Sequence, residues 1–152
     1  MTQPPCIVWF KRDLRINDHA PLLTAARSVA PIIPLYIVEP DYWKQPFASR
    51  RHWHFIHDCL SDLKRDLAEL GQHLIIKVGD ACDVIQKLHL EHHVGDIYAH
   101  EETGNLLPYQ RVIAVEYVCA INDLDLHVVP STALVRRRPI RTVCSNISTP
   151  PL

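Results

Sequence analysis

Ile7-Val8-Trp9-Phe10-Lys11-Arg12-Asp13-Leu14-Arg15, followed closely by Asn17-Asp18-His19, is the stretch that decides the fold. An apolar run over residues 6–10 stops abruptly at a charged loop, and Asn17 or Asp18 then offers a helix N-cap. A short, continuous apolar run suits a strand buried on both faces, as at the centre of a parallel sheet. In such a sheet, ligands bind beyond the carboxyl ends of the strands. The first loop holds Lys11, Arg12, Asp13 and Arg15 within five residues, so it presents cations and a carboxylate together.

Outward from this stretch, strand and helix patterns alternate. Apolar β-type runs lie at 6–10, 32–38, 73–78, 96–100 and 125–129. The first helix is expected near Asp18, with Pro21 in its opening turn and Leu22, Leu23 and Ala26 buried. The second repeats Trp53, Ile56, Leu60, Leu63, Leu67 and Leu70 at intervals of three and four, one apolar face of an amphipathic helix, with Gly71 ending it. That ladder is core packing and too short for a coiled coil. The third starts at Asp80 as N-cap and buries Val84, Ile85 and Leu88. The fourth is expected near Pro108, carries Val112, Val115 and Val118 or Cys119, and ends at Asn122. These βα units predict an α/β protein: a Rossmann-like, doubly wound, five-stranded parallel sheet with helices on both faces and the first strand central. Residues 1–130 form the domain, and residues 131–152, which lack periodicity, read as a linker or tail.

Composition narrows the function classes. A chain of 152 residues supports one core, and 47% apolar with 22% charged residues is a soluble, globular balance. A net charge of −1 supplies no general attraction to nucleic acid. The amino terminus carries no signal-peptide pattern and no apolar run could span a bilayer, so a cytoplasmic protein without membrane contact is expected. Five scattered cysteines without a Cys-x-x-Cys pair suit reduced thiols. Neither a dinucleotide Gly-x-Gly-x-x-Gly after the first strand nor a Walker A sequence is present. The histidines at 52, 54 and 57 and at 89, 92 and 93 lack the His-Glu-x-x-His order of a zinc hydrolase and read as surface residues, so no metal is expected.

A second block, Tyr98-Ala99-His100-Glu101-Glu102-Thr103-Gly104-Asn105, follows the fourth strand and faces the first loop. Between them come Pro34-Leu35-Tyr36-Ile37-Val38-Glu39-Pro40 and Ser49-Arg50-Arg51-His52-Trp53. Together the four blocks resemble the amino-terminal α/β antenna domain of the photolyase/cryptochrome family, over about residues 6 to 111. The resemblance implies a light-harvesting module that holds an antenna chromophore: methenyltetrahydrofolate, a deazaflavin or a flavin. In the family a larger helical domain binds the catalytic FAD and the DNA lesion. The chain stops before any such domain, so neither catalytic FAD nor DNA repair by the chain alone is expected, and a separate helical domain is an implied partner. The family's enzymes are deoxyribodipyrimidine photo-lyases, and the resemblance implies no catalytic residue within the antenna domain. Trp9, Trp43 and Trp53 belong to the antenna fold rather than to the family's electron relay.

The pattern also departs from the family: Val112 follows Arg111 where relatives carry an aspartate, and Val118 stands where they carry a tryptophan. Leu134-Val135-Arg136-Arg137 resembles the turn towards the helical domain, whereas the residues after it do not.

The candidate chromophore-binding residues are Arg12, Asp13, Arg15, Glu39, Glu101, Glu102 and Asn105, placed between the 10–15 and 100–105 loops. The arginines would meet a carboxylate or phosphate, and the carboxylates would accept from ring N–H or hydroxyl groups. For Arg12, Asp13 and Arg15 the competing reading is a structural ion-pair cluster that fixes the first loop. For Glu101 and Glu102 it is helix capping, and a catalytic carboxylate pair is disfavoured without a partner or substrate. The competing function is a stand-alone nucleotide or small-ligand binding protein that uses the same loops without light chemistry.

Overall fold

The computed structural model describes residues 3–46, 48–101 and 106–129, with the side chains of 106–109 excepted. Five parallel strands form one sheet: β1 (Cys6–Phe10), β2 (Ile32–Val38), β3 (Ile75–Val78), β4 (Asp96–His100) and β5 (Asp125–Val129). Their order is β3-β2-β1-β4-β5, with β1 in the centre. The helices are α1 (Ala20–Arg27), α2 (Pro40–Trp43), α3 (Arg50–Glu69), α4 (Ala81–His92) and α5 (Leu106–Ile121). No described helix is long and apolar enough to cross a membrane.

Every residue of β1 is buried, as a central strand covered on both faces requires. Its side chains alternate between two cores. Cys6, Val8 and Phe10 face one, with Ala25 of α1 and Ile56, Leu60, Leu63 and Leu67 of α3. Ile7 and Trp9 face the other, with Ile85 and Leu88 of α4 and Val115 and Cys119 of α5. The sheet is therefore doubly wound.

Several local expectations need correction. α1 starts at Ala20 with His19 as N-cap, not at Asn17 or Asp18, and its apolar face turns accordingly. Pro21 and Ala25 are buried, Leu22 is half-buried, Leu23 is 53% exposed and Ala26 is exposed. β3 begins at Ile75 rather than at residue 73, because its only partner is β2, which pairs with it from Leu35 to Val38. On α3, Leu70 falls at the C-cap and is exposed, and Trp53 is half-buried beside a surface groove. Asp80 does cap α4, accepting from Cys82 N–H at 2.9 Å.

Gly71 ends α3 in the left-handed region at φ 78°, while Gln72 N–H bonds back to Leu67 O at 2.8 Å. No atom obstructs an added Cβ there, so Gly71→Ala isolates the backbone penalty. The expected loss is about 1 kcal/mol, checked by urea unfolding; an unchanged midpoint would refute the assignment of a strained cap.

Candidate functional site

The first loop turns on Asp13. Its Oδ1 accepts from Lys11 N–H at 2.8 Å. Its Oδ2 accepts from His19 Nε2 and His100 Nδ1, each at 2.5 Å. One buried carboxylate thus ties together the loop after β1, the start of α1 and the end of β4. Burial alone would raise the Asp13 pKa, but hydrogen bonds from His100, His19 and Lys11 N–H outweigh it and hold the carboxyl far below the usual range.

Asp13, His19 and His100 bring three potential metal-ligand atoms together. The hydrogen bonds argue against a metal there. His19 Nδ1 accepts from Leu22 N–H at 3.1 Å, so in the neutral ring Nε2 carries the proton that it donates to Asp13. A metal on Nε2 would displace that proton and needs Nδ1–H as an outward donor, whereas Nδ1 here faces another donor.

Lys11 is buried as well; its Nζ donates to His100 O at 2.9 Å and stands 4.7 Å above the Trp9 ring. These contacts occupy the described part of the gap between the 10–15 and 100–105 loops. The cleft opens instead on the β2 side. Trp9, Phe10, Tyr36 and Ile37 line it from the sheet, Tyr42 and Trp43 from α2, and His52 and Ile56 from α3. Lys11, Arg12, Glu39 and Arg111 bring charge to it. Glu39 and Arg111 form an ion pair at 3.0 Å, and the Arg111 guanidinium lies 5.3 Å from the Trp9 ring.

The inner cleft encloses only about 40 Å³, but beyond Trp43 lies an open groove of about 470 Å³. Val38, Pro40, Trp43, Ala48 and Trp53 make the groove apolar, with Lys44 and Arg50 also lining it. Trp43 stands edge-on to Trp53, ring centres 5.0 Å apart, and serves as a wall of both spaces. A groove of this volume has the size of a small-molecule site, whereas the inner cleft alone does not.

Of the described candidates, Arg12 and Glu39 line the cleft. Asp13 is engaged by the two histidines, and exposed Arg15 donates to its own loop, to Asn17 O at 3.1 Å and Asp18 O at 3.2 Å. Glu101 is half-buried, and its N–H donates to Val129 O at 2.6 Å. Glu102 and Asn105 lie outside the described residues. The cleft also takes in Trp9, Lys11, Tyr42, Trp43, His52 and Arg111, none of which is among the seven candidates, although Lys11 belongs to the charged first loop. One signal was available: Pro40 directly after Glu39 marks a helix start, and Tyr42-Trp43 follows within its first turn.

Cys82, at the start of α4, shows how the acidic surroundings act. Burial comes first, then the charge of Asp80, with Asp83 and Glu39 adding to it, and the thiol is pushed up to about 11. The thiolate fraction at pH 8 is then about one in a thousand, so alkylation should run roughly a hundredfold slower than for a free peptide thiol. Peptide mapping after timed iodoacetamide treatment measures this; labelling at the peptide rate would refute it.

A family model described as DNA photolyase matches residues 6–147, and the chain belongs to that family, as its amino-terminal α/β domain. It is 38% identical to cryptochrome DASH, chloroplastic/mitochondrial, of Solanum lycopersicum over 64% of this chain and 18% of that one. It is 31% identical to cryptochrome DASH of Gloeobacter violaceus over 84% of this chain and 26% of that one. Among solved structures, an archaeal photolyase of Sulfolobus tokodaii, described with two FAD molecules and an implied novel light-harvesting cofactor, superposes with a TM-score of 0.76 at 26% identity. That match covers 83% of this chain and 29% of the archaeal one. The chain therefore spans about a quarter or less of its curated relatives' length.

Proposed function

We propose that this domain is the light-harvesting antenna module of a photolyase/cryptochrome-type protein, with the chromophore seated on Trp43, where the inner cleft meets the groove. Family membership supports the class of ligand, and the Trp43 wall shared by two spaces is the observation that carries the site. A planar ring system stacks well on an indole. A polar edge would reach Arg12 and the Glu39–Arg111 pair, while an anionic tail would meet Lys44 or Arg50 in the groove. Glu101, Glu102 and Asn105, from the block after β4, are proposed to complete the rim. Asp13 acts as a positioning residue that holds the loop bearing Arg12, and Arg15 braces the same loop. Residues 1–130 constitute the module and residues 131–152 the linker towards a FAD-binding helical domain. The Sulfolobus tokodaii photolyase, described with two FAD molecules, makes a flavin the first ligand to try; methenyltetrahydrofolate and a deazaflavin follow.

Titration of the purified chain with each chromophore, read by absorbance and fluorescence, tests the proposal. Saturable one-to-one binding is expected for one of the three, and no binding of any would overturn it. Arg12→Ala should weaken that binding at least about tenfold, the lower end of what removing a charged partner costs, with unchanged thermal stability because Arg12 is exposed.

A further inference from the structure

Charge is unevenly matched in the inner cleft. Among the described residues that line it, Lys11, Arg12 and Arg111 are cations and Glu39 is the one carboxylate. Arg12 is exposed, so water and salt can balance it. Lys11 is buried, and the side chains of Arg111 and Glu39 are only 16% and 15% exposed. For two cations taken largely out of water there is thus one carboxylate, which can neutralise only one charge. Asp13 does not make up the difference: its carboxylate is engaged by His19 and His100, and it does not line the cleft. Both cations are held at the same indole, with Lys11 Nζ 4.7 Å and the Arg111 guanidinium 5.3 Å from the centre of the Trp9 ring. An aromatic face attracts cations but carries no charge to cancel theirs. Buried charges are ordinarily paired, and a surplus one is costly. The space left, about 40 Å³, excludes a ring system but admits a carboxylate.

We infer that the inner cleft is a subsite for one anionic group. In the working protein that group is the end of the chromophore that points inward from Trp43: a carboxylate, or a ring oxygen bearing negative charge. This choice of occupant rests on the antenna reading above, whereas the preference for an anion does not. Lys11 and Arg111 would meet the group with charge-assisted hydrogen bonds, the stronger kind, and exposed Arg12 would reach it from the rim. Glu39 holds Arg111 at 3.0 Å, and its own charge weakens the attraction for a second anion.

Sodium formate, the smallest carboxylate, tests this against sodium gluconate, a carboxylate too large for the cleft. Each is titrated into the full chain at the same ionic strength while the melting temperature is followed. Formate should raise it along a saturating curve, as a ligand of the folded state does, and gluconate should not. Glu39→Gln keeps a side chain that can accept from Arg111 but removes the opposing charge, so formate should bind at least about tenfold more tightly. Lys11→Met should weaken formate binding by at least about the same factor. Each variant is compared with itself in the presence and absence of formate, so a lower starting stability does not enter the result. No response to formate, equal responses to formate and gluconate, or a Glu39→Gln variant that binds formate no more tightly would overturn the subsite. If Glu39→Gln does not fold, Lys11→Met decides, and unchanged formate binding there overturns it. Formate should also compete with the chromophore. A chromophore that binds equally well in saturating formate would refute the charged inner end. A chain that takes formate but none of the three chromophores would refute the antenna reading and leave the anion subsite standing.

Discussion

Asp13→Ala is expected to cost about 3–5 kcal/mol of stability at neutral pH, the loss typical of removing one partner from a buried charged cluster. For a chain of this size that lowers the melting temperature by roughly 10 °C. The variant leaves His19 Nε2, His100 Nδ1 and the Lys11 N–H without their acceptor, all in a buried setting. The effect should depend on pH in a defined direction. Because the folded-state pKa of Asp13 is depressed, its contribution is complete above the unfolded value of about 4 and is lost as pH falls towards the folded value. Native and variant proteins should therefore converge in acid, by about 1 kcal/mol for each pH unit below 4. Urea unfolding at a series of pH values measures this. A constant difference down to pH 2, or a loss below about 1 kcal/mol at neutral pH, would show that the cluster does not tie the loop down.

What the sequence revealed, and what it hid, follows from how local each signal is. The β1 run and the ladder from Ile56 to Leu67 state their burial through unbroken or periodic apolar residues, so the sheet, its central strand and α3 were legible. Trp53 and Leu70 continue the same period, but Trp53 lies in the first turn and is half-buried, and Leu70 is the C-cap and exposed. The start of α1 was misplaced because His19 is an uncommon N-cap. Its ring is held by Asp13, an interaction between two residues that no helix rule links. The long-range Asp13–His100 contact was likewise invisible, and it matters most for the site: together with Lys11 it ties the first loop to β4, and the cleft lies towards β2. The sequence puts Arg12 in the loop after β1 and Glu39 at the end of β2, and both line that cleft. Arg111 reaches it from a distant helix through its pair with Glu39, which only the fold reveals.

Trp43→Ala should weaken chromophore binding more than any other single replacement in the cleft, by about 2–4 kcal/mol, or roughly 30- to 1000-fold. The indole is a wall of both the inner cleft and the groove, so its removal merges the two spaces and takes away the flat surface for stacking. Tyr42 and Trp53 both stand edge-on to it, which fixes the plane that it offers. Trp43→Phe retains a flat ring of smaller area and should recover most of the binding. Trp53→Ala, which lines only the groove, should have a smaller effect. Neither Trp43 nor Trp53 is fully buried, so circular dichroism should show the fold intact in all three variants. The order of affinities is then native, Trp43→Phe, Trp53→Ala, Trp43→Ala. If a chromophore binds the chain but Trp43→Ala binds it as the native protein does, the ligand lies elsewhere on the sheet edge. The rim after β4, where Glu102 and Asn105 stand in the sequence, would then become the site to test.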